Sequence, residues 1–163
     1  MATDMPGTDR PKTGVVPPEI FRTLSGIELL RGMAEGRYPS APITATLGFE
    51  LVEVEEGRAV FEGEPVFDYY NPLGSVHGGW TATLLDSCMG CAVHSALPAG
   101  KGYTTLEFKV TFIRPVLDGI GRVRAEGTIL NVGRTAGTAE GRLLDRSGKL
   151  LAHGTTTCLL FAL

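Results

Sequence analysis

Apolar and polar positions recur along this chain with two different periods, and the change of period divides it. Over residues 19–35, Ile20, Phe21, Leu24, Ile27, Leu30, Met33 and Ala34 recur at the three-to-four-residue spacing of a helix face. Gly26 and Gly32 weaken this pattern, so it predicts one bent helix or two short ones, ended by Gly36, Pro39 and Pro42. From Thr46 the texture changes to that of strands. Residues 47–54 and 59–67 read as a strand and its return about the turn Glu56-Gly57-Arg58. Residues 68–76 form a loop with turn chemistry at Asn71-Pro72 and Gly74. A helix is predicted from Gly78 to about Leu97, stopped by Pro98 and Gly100. Four more strands are predicted at residues 103–113, 122–131, 135–145 and 150–161, with turns at Asp118-Gly119, Gly133 and Ser147-Gly148. In the first of these, Leu106, Phe108, Val110 and Phe112 alternate with Thr105, Glu107, Lys109 and Thr111.

The helix beginning at Gly78 is apolar on nearly all sides, and such a helix is buried. It lies between two strands and four strands. Hairpin-length connections make the last four antiparallel neighbours. The economical architecture is α+β: a curved antiparallel sheet wrapped around one long central helix, with an additional N-terminal helix. Residues 1–18 are polar and rich in Pro, Gly, Thr and Asp, which predicts a flexible tail. Residues 19–163 then form a single domain, with 19–45 as a helical extension.

Composition narrows the function. A chain of 163 residues with 43% hydrophobic and 20% charged positions suits one soluble globular domain. A net charge of −3 argues against a nucleic-acid partner. No apolar run reaches the ~18 residues of a membrane span, and the polar N-terminus does not read as a secretory signal. Three cysteines without framework spacing read as reduced thiols in a cytoplasmic protein.

Candidate chemistry gathers between Asn71 and Asp86. A helix start offers unpaired N–H groups and the positive end of the helix dipole. Gly78 and Gly79 leave those donors unshielded, as an oxyanion hole requires; the same glycines would also allow tight packing. His77 could cap the helix, act as a base or brace the loop. Asn71 can donate and accept together, and Asn before Pro also makes a common turn. Asp86 sits among Leu84, Leu85 and Cys88, where a carboxylate needs a partner or a task. It lies ~12 Å along the helix from Gly78, too far for both to touch one reacting carbonyl. Two such helices packed antiparallel about a two-fold axis would bring each Asp86 beside the other's helix start. The Cys88-Met89-Gly90-Cys91 spacing, with His94, falls deep in the apolar helix and reads as core packing rather than as a redox or metal site.

At these residues the sequence resembles the PaaI-type branch of the hotdog-fold thioesterases. The resemblance is carried by Asn71, by His77-Gly78-Gly79, by Thr83-Leu84-Leu85-Asp86 and by the strand running from Thr104 to Arg114-Pro115. It covers about residues 46–163. It implies the hotdog fold, homodimers whose sheets join edge to edge, and a dimer of dimers. The activity it implies is acyl-CoA hydrolysis without metal or organic cofactor. Carried over by residue, Asn71 orients water or substrate and the Gly78 N–H polarises the carbonyl. His77 supports the loop or the leaving thiolate, and Asp86 of the other subunit is nucleophile or general base. A hydroxyl near the start of the third major strand falls at Thr105, with Thr104 next. Gly79 and Trp80 would flank the substrate, and Arg114, Lys109 or Arg134 would meet CoA phosphates. Two alternatives stand beside it: a hydratase or dehydratase on acyl thioesters, though no second acid lies near His77, and a non-catalytic acyl-CoA or lipid-binding module, against which Asp86 speaks.

Overall fold

A computed structural model describes residues 13–163, so most of the expected tail lies outside the described residues. The N-terminal extension forms two short helices, α1 (Pro18–Thr23) and α2 (Gly26–Ala34). Ser25 separates them because its N–H donates to the Glu28 carboxylate at 2.8 Å, which starts a new helix instead of bending the old one. A third helix, α3 (Pro42–Thr46), lies where the sequence pattern predicts only a stop. Pro42 occupies its first turn, where a missing N–H costs nothing.

Strand β1 (Phe49–Glu55) returns as β2 (Arg58–Gly63) around Gly57, whose φ of 80° a side chain would disfavour. β2 stops short of the expected residue 67. Pro65 cannot donate to a ladder, and residues Phe67–Tyr69 wind into a 3₁₀ turn. The central helix α4 (Gly78–Ser95) follows, then β3 (Lys101–Phe112), β4 (Val123–Val132), β5 (Ala136–Leu144) and β6 (Leu150–Ala162).

The sheet order is β1-β2-β4-β5-β6-β3, and every pair is antiparallel. This corrects one expectation: β3 and β4 are not neighbours. β3 pairs with the last strand, and residues 113–122 carry the chain across to β4, which adds to β2. β3 is therefore an edge of the sheet among the described residues.

The sheet can wrap α4 closely because three glycines face it. Gly127, Gly141 and Gly154 pair side by side across β4, β5 and β6. A Cβ on Gly127 would collide with the Cys88 carbonyl, and one on Gly141 would come within 2.9 Å of Met89 Cγ. Leu84, Leu85, Cys88, Met89, Ala92 and Val93 on this helix have no exposed surface. Packing this dense tolerates little added volume.

Candidate active site

His77 is the N-cap of α4. Its Nδ1 accepts the Gly79 N–H at 2.9 Å, while its own N–H is held by Tyr69 O at 2.7 Å. This arrangement consumes one of the unpaired donors of the helix start. No hydrogen bond among the described residues uses the neighbouring Gly78 N–H. Gly78 lines a cavity of about 380 Å³ together with Asn71, Ser75, Thr81, Phe112 and Arg114. The ring of Phe112 lies over Gly78, and a Cβ there would meet it at 2.9 Å. A bare backbone is thus what this position accommodates.

Asn71 organises the loop that forms one wall. Its Oδ1 accepts the Leu73 N–H at 2.8 Å and its Nδ2 donates to Ser75 Oγ at 3.1 Å. Tyr70 ties this loop to residues 113–122: its hydroxyl accepts the Asp118 N–H at 2.8 Å and donates to the Asp118 carboxylate. Arg114 is exposed beside the cavity and donates to Leu150 O.

Asp86 is half-buried and lies elsewhere, on the face of α4 toward β3. Thr105 Oγ1 donates to its Oδ1 at 2.9 Å, and no other hydrogen bond reaches this carboxylate among the described residues. A register shift between Thr105 and Glu107 makes Leu106 an extra residue, which breaks the regular alternation expected of this strand. Thr104 is exposed. Neither Asp86 nor Thr105 lines the cavity at the helix start. The eight-residue separation of Gly78 and Asp86 is ~12 Å along a continuous helix. One chain therefore carries two partial groupings: Asn71, Gly78 and Arg114 at one end of α4, Asp86 with Thr105 farther along.

Two other expected residues sit apart from both. Trp80 is buried, donates from Nε1 to Leu47 O at 2.8 Å and stacks on Tyr69. Gly79 is exposed, with its N–H already taken by His77. Phe112, Ser75 and Thr81 line the cavity without having been singled out from the sequence. Residues of ordinary strand and helix patterns carry no local sign of a site.

The cysteines are free. Burial pushes the Cys91 thiol up to about 12 and raises Cys88 well above the ordinary thiol range, so both stay protonated. No group of three or more His, Cys, Asp or Glu side chains is placed to hold a metal among the described residues. No helix there is long and apolar enough to cross a membrane.

Residues 73–152 match the family model described as the thioesterase superfamily. Mouse acyl-coenzyme A thioesterase 13 is 30% identical over 66% of this chain and 76% of its own length. A candidate esterase of Halobacterium salinarum is 41% identical over 41% of the chain, a match that spans only 44% of that protein. Among solved structures, a point mutant of the phenylacetic acid degradation protein PaaI of Thermus thermophilus is 28% identical with a TM-score of 0.65. That match covers 72% of this chain and 97% of that one.

Proposed function

This chain belongs to the thioesterase superfamily as a PaaI-type hotdog thioester hydrolase, and from that premise we propose that it cleaves acyl-CoA to free acid and CoA at a site shared by two copies. One observation carries the reading: the unused Gly78 N–H at the start of α4 lines a cavity, while the only carboxylate of that helix is ~12 Å farther on.

The thioester carbonyl accepts the Gly78 N–H, aided by the helix dipole. Asp86 of a second copy completes the site. As general base it takes a proton from water while the water oxygen bonds the carbonyl carbon. The tetrahedral oxyanion collapses, the C–S bond breaks with its electron pair, and the CoA thiolate takes the proton from Asp86. As nucleophile, Asp86 itself adds to that carbon and expels the thiolate, leaving a mixed anhydride that water opens. Either way Thr105 holds the carboxylate in place. Asn71 orients water or substrate, His77 fixes the helix start, and Arg114 offers a cation to the CoA phosphates.

Pairing through β3 supplies the second copy. The edge strand presents unpaired N–H and C=O groups, and Leu106, Phe108 and Phe112 on it are 60%, 41% and 57% exposed. Acyl-CoA is the substrate class in the name of the mouse relative.

Asp86→Asn keeps the shape and removes the base. Thiol release from acyl-CoA then falls at least ~10²-fold. Near-normal turnover in that variant overturns the assignment.

A further inference from the structure

A second cavity, of about 500 Å³, lies between the N-terminal extension and the far half of α4. Phe21, Leu29, Leu30 and Met33 of α1 and α2 form one side, and Cys91, His94 and Tyr103 form another. Its lining is overwhelmingly apolar, and its polar members carry no charge at neutral pH. Burial lowers His94 to about 4 and raises Cys91 to about 12. The cavity suits a hydrocarbon group and offers nothing to an ion.

Its position relative to Asp86 is specific. Asp86, Gly90 and His94 recur at four-residue spacing on one face of α4. The residue between the carboxylate and the cavity is thus a glycine. A Cβ at Gly90 would lie 2.7 Å from the Tyr103 hydroxyl, so that ring fills this stretch from the β3 side and a passing tail has to displace it. Tyr103 lies two residues before Thr105 on the same strand, so strand and helix lead together from the carboxylate to the cavity.

Resting on the acyl-CoA hydrolase reading, we infer that this cavity receives the tail of a medium-length alkyl acyl group, and that α1 and α2 set the chain length. His94 is ~12 Å along the helix from Asp86. An extended chain advances roughly 1.2 Å per bond, so a tail needs about ten bonds to fill the cavity floor. At about 30 Å³ per water-sized group, the volume has room for roughly 16 such groups, enough for a ten-bond tail. Acetyl does not reach the cavity, and a phenylacetyl group reaches only its entrance.

The test is thiol release by the full chain from saturated acyl-CoAs, acetyl to palmitoyl, and from phenylacetyl-CoA. kcat/KM rises about fourfold per methylene once the tail enters the cavity, and peaks near decanoyl to dodecanoyl. Met33→Trp and Ala41→Phe fill the cavity from two separate elements. Each lowers the decanoyl-to-acetyl ratio of kcat/KM at least about tenfold, the equivalent of under two buried methylenes. Partial misfolding lowers both rates together and leaves that ratio unchanged.

A flat chain-length profile, a maximum at phenylacetyl-CoA or unchanged ratios in both variants overturns the inference and leaves the hydrolase reading standing. No thiol release from any acyl-CoA overturns the hydrolase reading instead. The cavity is then decided by calorimetry with decanoic acid: binding by the full chain that Met33→Trp abolishes supports it. Absence of binding overturns it.

Discussion

His94 shows how one buried side chain couples this fold to pH. It stacks against Phe21 and sits 5.4 Å from the Tyr103 ring, with 7% of its surface exposed. Burial lowers its pKa from 6.5 to about 4, so the folded state holds it neutral. Between those values the unfolded chain binds the proton more readily than the folded one. Its contribution to stability is therefore complete above pH 6.5 and is lost as pH falls toward 4, on the order of 3 kcal/mol in all. Urea unfolding at pH 7, 5.5 and 4.5 measures this, and His94→Phe removes that share of the slope. Asp86 is only half-buried, and its carboxylate accepts the Thr105 hydroxyl. One residue is held uncharged by its surroundings, while the other is given a partner that suits a carboxylate.

At the scale of elements, the start of α4 combines a structural and a chemical task on adjacent residues. His77 caps Gly79 and leaves Gly78 unclaimed. His77→Ala removes the cap and costs ~0.5–2 kcal/mol, whereas His77→Asn supplies a strong capping side chain and retains most of the stability. Thermal melts of the two variants check this. If His77 acts only as the cap, turnover follows the melting order; an Asn variant that is stable but inactive assigns it a chemical part as well. The helix and its loop were legible in the sequence because their signals are local: consecutive glycines, an apolar run and an Asn-Pro turn. Helix α3 was missed because Pro42 reads equally as a stop and as a first-turn residue. The end of β2 was placed late because apolar Val66 and Phe67 extend the pattern past Pro65, which the ladder cannot use.

For the whole molecule, the separation of the two groupings makes assembly part of the proposed chemistry. Asp86→Asn and Asn71→Ala chains each lack one half of every site. Mixed and reassociated, they form dimers with one doubly altered site and one intact site. If sites are shared, thiol release reappears, up to about a quarter of the wild-type rate for random pairing. If each chain is complete alone, the mixture stays as inactive as its parts. The sequence by itself determined the six strands in outline, the long helix α4 and its burial, and the candidate residues at both ends of its polar set. Periodicity and turn chemistry act over a few residues, and these features need nothing more. Only the tertiary structure decided that β3 pairs with β6 and that Leu106 is bulged. The same structure decided that Thr105 rather than Thr104 meets Asp86, because a pleat points successive side chains to opposite faces. It also formed a cavity between residues near the two ends of the described chain and its middle. Those outcomes depend on contacts between segments far apart in sequence, and no local pattern records which segments will meet.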